Sequence, residues 1–298
     1  MIDKVLLGDS INLIKAIEDN SIDLILSDIP YGISIEEWDV IHSNTNSALL
    51  GTSPSQVKST VFKKRGKPLN GWSEADKLIP KQYYEWCMSW CSEWLRVLKP
   101  CGTAFVFAGR RLAHRCISAF EDSGFIYKDM IGWNKGKAPH RAQHISCVFE
   151  RRKDNISAKK WKNWKVGNLR PIFEPILWFI KPYKIGSTIT DNILTYKVGA
   201  YNEAICKDYE VKADNLIQIS SNSDDIGLHP TQKPLKLMEY LIDLVTIKDS
   251  IVLDPFMGSG TTCLAAKNLE RHFIGFEQNE EYYTKALNRL ENNKRKLF

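Results

Sequence analysis

No stretch of this 298-residue chain is apolar over the roughly 18 residues a membrane-spanning helix needs. No leader precedes the first strand-like run either. Met1-Ile2-Asp3-Lys4 enters it directly, so a secretion signal is not expected. Internal repeats and low-complexity tracts are absent, which excludes a repeat architecture. The seven cysteines are scattered and odd in number, and with no secretion signal they read as reduced thiols of a cytoplasmic protein. Cys87 with Cys91, and His140 with His144, have helical i, i+4 spacing, but no second pair completes four metal ligands at usual spacings. Cys87 and Cys91 fall on an apolar stripe and read as core, and no metal is expected.

What is present is ordinary in amount and informative in placement. Hydrophobic residues make up 43% and charged residues 26%, enough for one large core or two smaller ones. A net charge of +6 is only a mild pointer to a polyanionic partner. The distribution says more. Lys135, Lys137, Arg141, Arg151, Arg152, Lys153, Lys159, Lys160, Lys162, Lys165 and Arg170 fall in one stretch, opposed there by Glu150 and Asp154 and interleaved with Trp133, Trp161 and Trp164. Cations beside aromatics suit phosphate contact and base stacking, and a solvated loop is the plainer reading of the same run.

Apolar runs bounded by turn residues predict about seven strands, near Val5–Asp9, Leu24–Ile29, Thr103–Gly109, Phe125–Trp133, Ile176–Pro182, Ile251–Phe256 and Phe273–Glu277. Tyr83, Cys87, Trp90, Cys91, Trp94 and Leu98 recur at helical spacing, and helices are also expected over Thr262–Leu269, Leu235–Thr246 and Glu280–Arg295. Such alternation implies a doubly wound, mostly parallel α/β sheet. Two regions break it. Ser34 to Pro80 is polar and turn-rich, and 136–228 is largely polar around one strand near 176–182. The expected division is 1–135 for the acceptor-side half with its inserted loop, 136–228 for target-recognition elements, and 229–298 for the cofactor half of the same catalytic domain.

Two strand ends carry the chemistry, because ligands of such sheets bind beyond the carboxyl ends of strands. Asp28-Ile29-Pro30-Tyr31 closes one apolar run. Asp254-Pro255-Phe256-Met257-Gly258-Ser259-Gly260-Thr261-Thr262 closes another, with the acidic Glu277 at the end of the next strand, as ribose binding requires. No lysine follows Gly260, which disfavours a Walker-type phosphate loop. A nicotinamide dinucleotide fits Gly258, Gly260 and Glu277 equally well. Upstream, His229 to Pro234, with Thr231 and Lys233, reads as a loop and helix start able to hold a carboxylate.

Taken in order, these segments resemble the β class of DNA amino-methyltransferases, in which the acceptor motif precedes the donor motif. Leu6 to Ser10, Asp28 to Tyr31, Leu98 to Gly102, Ile131 to Lys135, Glu174 to Phe179, His229 to Pro234, Asp254 to Thr262 and Phe273 to Glu277 carry the likeness. It implies a circularly permuted, Rossmann-like methyltransferase sheet of seven strands. The donor would be S-adenosylmethionine, held by Asp9, Thr231, Lys233, Asp254, Phe256, Gly258, Gly260, Thr261 and Glu277. A base flipped out of double-stranded DNA would meet Asp28, the Ile29 carbonyl, Pro30 and a stacking Tyr31. Lys135, Lys137, Arg141, Arg151, Arg152, Lys159 and Lys160 would contact DNA. The family's tetrapeptide usually has two prolines, and Ile29 replaces the first while keeping the carbonyl. An aspartate at its first position favours adenine N6, with cytosine N4 the alternative and a noncatalytic nucleic-acid-binding relic a further one. The resemblance also implies a restriction–modification system with a companion nuclease, and a homodimer. Pro100-Cys101 offers a cytosine-C5 nucleophile only superficially, since Lys99 to Gly102 reads as a turn.

Overall fold

The computed structural model describes residues 1–32, 74–138, 142–220 and 232–292. Eight strands form one sheet in the order β1-β10-β9-β2-β3-β7-β4-β8. They are β1 (Lys4–Leu7), β2 (Ile22–Asp28), β3 (Leu98–Phe107), β4 (Ile126–Asn134), β7 (Phe173–Ile180), β8 (Leu216–Ile217), β9 (Ile251–Asp254) and β10 (His272–Glu277). From β1 to β3 all neighbours run parallel, while β7 is antiparallel to both β3 and β4. The seven expected strands are all present. The eighth, β8, lies in the stretch read as irregular, because two residues are too short a run to show a period. A separate ribbon pairs β5 (Gln143–His144) with β6 (Lys165–Val166).

Period-two alternation sends each strand's side chains to two cores. Leu24, Leu26, Phe105 and Phe107 face one, with α8 (Leu235–Val245), α9 (Thr261–Asn268) and α10 (Glu280–Asn292). Ile25, Ala104 and Val106 face the other. That second side is covered by α2 (Glu74–Val97) and α3 (Ala113–Asp122), whose Trp90, Trp94 and Phe120 are fully buried. A short α1 (Ser10–Leu13) follows β1. The helix after β9 therefore lies on one face and the helix after β2 on the other. Between these adjacent strands the winding reverses, and the reversal opens a crevice at their carboxyl ends.

Two polar side chains inside buried β2 have structural partners. Asp23 accepts from Lys99 Nζ at 2.7 Å and from the Ile251 amide at 2.8 Å. Ser27 Oγ donates to Asp254 Oδ1 at 2.7 Å, joining β2 to β9 at the crevice. Lys99 to Gly102, expected as a turn, instead opens β3. The register against β2 shifts between Ile22 and Leu24, and Cys101 takes φ +64°. This irregularity absorbs the proline and glycine that suggested a turn.

Within 142–170, expected as irregular, lie α4 (Ile145–Arg151) and α5 (Asn155–Lys160), packed on each other and framed by the β5–β6 ribbon. Further short helices, α6 (Ile189–Tyr196) and α7 (Ile205–Asp208), occupy the second polar stretch. The inserted loop, including Lys63-Lys64-Arg65 and Asn70-Gly71, lies outside the described residues except at its edges, as do Thr231, His140 and Arg141. Among the described residues no helix is long and apolar enough to cross a membrane.

Candidate active site

The crevice is a cavity of about 300 Å³, the lower end of the usual range for small-ligand sites. Its donor half is built by the β9–α9 turn. Gly258 (φ +52°) and Gly260 (φ +76°) take left-handed conformations that a side chain would strain. A Cβ on Gly260 would also come within 3.0 Å of Ala286 on α10. Glu277 fixes the turn from the next strand, with Oε2 accepting from the Gly258 amide at 2.9 Å and Oε1 from the Asn279 amide at 2.8 Å. A carboxylate has about four acceptor sites, so these backbone bonds leave acceptor capacity for a hydroxyl. Burial pushes the Glu277 carboxyl up against these backbone bonds. Asp254 is buried more deeply and is pushed up to about 7, with hydrogen bonds from Thr262 and Ser27 opposing burial. Asp9 caps α1 through the Ile11 amide at 3.1 Å and lines the opposite wall.

The acceptor half is a buried charge cluster. Lys233 Nζ, only 5% exposed, lies 2.5 Å from Asp28 Oδ2 and 3.1 Å from Glu174 Oε1. Tyr31 donates to the same Glu174 oxygen at 2.6 Å, and Lys135 pairs with the other at 2.8 Å. Burial disfavours the Lys233 cation, but two carboxylates outweigh it and hold its pKa above the ordinary lysine value. Burial raises Glu174 as well, yet Lys233 and Lys135 pull it down to about 2. Asp28 is raised, by burial first and by Glu174, with Lys233 opposing. Burial and the two carboxylates keep the Tyr31 phenol protonated. Asp28 Oδ1 is buried and has no hydrogen-bond partner among the described residues. The amide of Gln232, which also lines the cavity, is in the same position. Unpaired buried polar atoms facing a cavity are what a polar ligand would satisfy.

A family profile described as DNA methylase, covering N6 and N4 methyltransferases, matches residues 22–288. The chain belongs to this family. Its members take the methyl group from S-adenosylmethionine, and this chain is accordingly an S-adenosylmethionine-dependent, site-specific DNA methyltransferase. It is 58% identical over 295 residues to the type II methyltransferase M.HindIII of Haemophilus influenzae, covering 97% of this chain and 96% of that one. With M.HpaI of Haemophilus parainfluenzae it shares 27% over 292 residues, 97% and 74% of the two chains. Among solved structures, the M1.HpyAVI–SAM complex aligns at TM-score 0.55 and 24% identity, covering 96% and 98%. The cytosine-N4-specific PvuII DNA methyltransferase aligns at 0.60 and 20%, covering 99% and 89%. These two likenesses are of fold.

Against the methylase template, most of the expected donor residues meet at one cavity. Asp9, Lys233, Asp254, Phe256, Gly258, Thr261 and Glu277 line it together with Asp28 and Pro30. Gly260 supports the turn from behind, and Thr231 lies outside the described residues. Lys233, expected at the methionine end, also grips Asp28, so it belongs to both halves. Ile29 turns its side chain into the core, and Tyr31 sits behind Lys233, packed on Gly109 at the end of β3. Pro30 is pinned by Tyr83, whose hydroxyl donates to its carbonyl at 3.2 Å.

Of the basic run, Lys137, Arg151, Arg152, Lys159 and Lys160 are exposed, and no ion pair holds them among the described residues. Lys135 differs, since Glu174 draws it inward. Trp133 is also not available for stacking. It lies buried on β4 and donates its indole N–H to the Ile219 carbonyl at 2.9 Å. Trp161 and Trp164 pack edge to face at 5.2 Å, with Trp164 exposed.

Trp86, Gln232 and Glu174 were not anticipated by sequence. Glu174 had a readable signal, as a lone carboxylate heading an apolar strand. Trp86 stands three residues from Tyr83 and four from Trp90, on the edge of the predicted stripe.

Proposed function

We propose that this methyltransferase acts on the N6 amine of adenine, with the target base flipped out of duplex DNA. The observation that carries the reading is Asp28. One oxygen is held by Lys233, the other is buried and unpaired among the described residues, and Asp28 lines the crevice where the donor residues converge. An exocyclic amine is a poor nucleophile because its lone pair is delocalised into the ring. Asp28 Oδ1 accepts one N–H as a charged acceptor, and the Ile29 carbonyl accepts the other. The two acceptors draw the nitrogen toward pyramidal geometry and aim its lone pair along the line of displacement. Bound S-adenosylmethionine supplies an electrophilic methyl on a sulfonium. Glu277 and Asp9 would hold its nucleoside, and the Gly258 turn would let the backbone approach it closely. Flipping costs a few kcal/mol. Stacking on Tyr31, whose ring borders Lys233 beside the cavity and is not in its lining, would return about 1–3 kcal/mol.

Asp28 at the head of its tetrapeptide supports adenine over cytosine N4. The exposed cations of α4 and α5, with Arg141, are assigned to DNA phosphates, and 136–228 to target recognition. The 58% identity to a type II methyltransferase supports a place in a restriction–modification system, with a cognate nuclease, a cytoplasmic location and a homodimer as parts of that proposal.

The test is expression of the chain and its Asp28→Ala variant in a methylation-free host, followed by nucleoside mass spectrometry. N6-methyladenine from the wild type alone is expected. N4-methylcytosine would overturn the base assignment, and an active Asp28→Ala would overturn the site.

A further inference from the structure

Lys233 meets two carboxylates, and the mechanism above uses only one of them. Glu174 comes from the start of β7 and is buried, with an exposure of 8%. Among the described residues no hydrogen bond or ion pair joins it to the donor turn, yet it receives Lys233, Lys135 and the Tyr31 hydroxyl. A buried carboxylate costs several kcal/mol unless a cation and further hydrogen bonds compensate it. Here it has two cations, and one of them is shared with the group that faces the substrate.

We propose that Glu174 is a positioning residue for methyl transfer, which competes with Asp28 for Lys233 and so sets how strongly that ammonium holds the substrate-facing carboxylate. This rests on the reading of Asp28 as the acceptor of the amine hydrogens. Lys233 must steady Asp28 Oδ2 without withdrawing the charge that Oδ1 needs for the amine. Glu174 takes up part of the ammonium's field, and Lys135 on its far oxygen limits how much it takes. Tyr31, tied to the same Glu174 oxygen, has its hydroxyl fixed by the same balance.

The groups that face Asp28 are Lys233 from the segment before α8, Glu174 from β7, Tyr31 from its own loop and Asp254 from β9, with Lys135 behind Glu174. Two substitutions push this set in opposite directions. Glu174→Gln removes a negative neighbour and frees Lys233 toward Asp28, making Asp28 harder to protonate. Lys135→Met strengthens the pull of Glu174 on Lys233, making Asp28 easier to protonate.

The experiment is the pH dependence of kcat for the full chain with S-adenosylmethionine and unmethylated plasmid DNA, alongside thermal melting of each variant. The acid limb is expected to move by about one pH unit, downward in Glu174→Gln and upward in Lys135→Met. Limbs unmoved, or moved the same way, would overturn the proposal whatever happens to the plateau rate or the melting temperature. Should Glu174→Gln fail to fold, the upward shift in Lys135→Met decides alone, since Lys135 is partly exposed and its loss is tolerable to the core. Asp28→Ala separates the two readings. Its activity, if retained, defeats the assignment of Asp28, whereas unmoved limbs with an inactive Asp28→Ala defeat only the role of Glu174.

Discussion

Asp254→Asn should change how the stability of this protein depends on pH. Asp254 is 3% exposed at the end of β9 and is held at about 7 against an ordinary 3.8. The unfolded chain loses its proton near 4, while the folded chain keeps it to near 7. The folded state thus binds the extra proton between those values, and stability from this group is lost as pH rises through the window. About three pKa units at 1.36 kcal/mol each give roughly 4 kcal/mol of loss between pH 4 and pH 8. Asparagine keeps the size and one acceptor for Ser27 and the Phe256 amide, and it has no charge to bury. Its amide nitrogen costs about 1–3 kcal/mol if unpaired, but that cost is the same at every pH. The quantity to compare is therefore the change in ΔΔG between pH 4 and pH 8, from urea unfolding of both proteins. Relative to wild type, the variant should gain about 4 kcal/mol across that interval. Parallel pH profiles would refute the reasoning, showing that Asp254 ionises in the folded protein as readily as in water.

Three further outcomes follow from the site. Glu277→Ala should weaken S-adenosylmethionine binding in calorimetry and loosen the Gly258 turn it fixes, and unaltered affinity would count against the ribose assignment. Neutralising Arg151, Arg152, Lys159 and Lys160 together should reduce the slope of log K against log salt for DNA binding by up to about 4. An unchanged slope would remove α4 and α5 from the DNA surface. Cys101→Ser should keep turnover, because Cys101 is buried near the amino end of β3, whereas the crevice lies at the carboxyl ends of β2 and β9. Complete loss of transfer with folding intact would revive a cysteine nucleophile.

The strands that build the site were readable because β2 and β9 are mostly apolar runs that end in a carboxylate and a turn. Local signals of that kind survive folding. The partnership of Lys233 with Asp28 joins residues 205 apart in sequence, and no periodicity connects them. Lys233 accordingly read as a donor-side residue, its other role appearing only where β2 meets the segment before α8. Lys135 and Trp133 misled for a related reason. Both fall in a basic, aromatic stretch, but β4 alternates, carrying Trp133 into the core, while Lys135 just past its end pairs with Glu174. Composition averages over a strand whose two faces differ. Among the expected irregular segments, two-residue strands and helices of four to eight residues give too few turns for a pattern to emerge.

Strand β9 lies between β10 and β2, and among the described residues β1 pairs only with β10 within the sheet. Leu24 waits for Val252, and Lys4 waits for Ile274. On a ribosome adding about 5–20 residues per second, the first strands stand without these neighbours for tens of seconds. During that interval β2 lacks its β9 neighbour, and an unpaired strand edge is open to non-native pairing. The same delay has a protective side. A chain cut short before residue 251 has β2 and the acceptor tetrapeptide but no strand to carry the glycine turn, so a truncated product cannot form the donor half of the crevice. Methylating capacity therefore arrives all at once, with about the last sixth of the 298 residues.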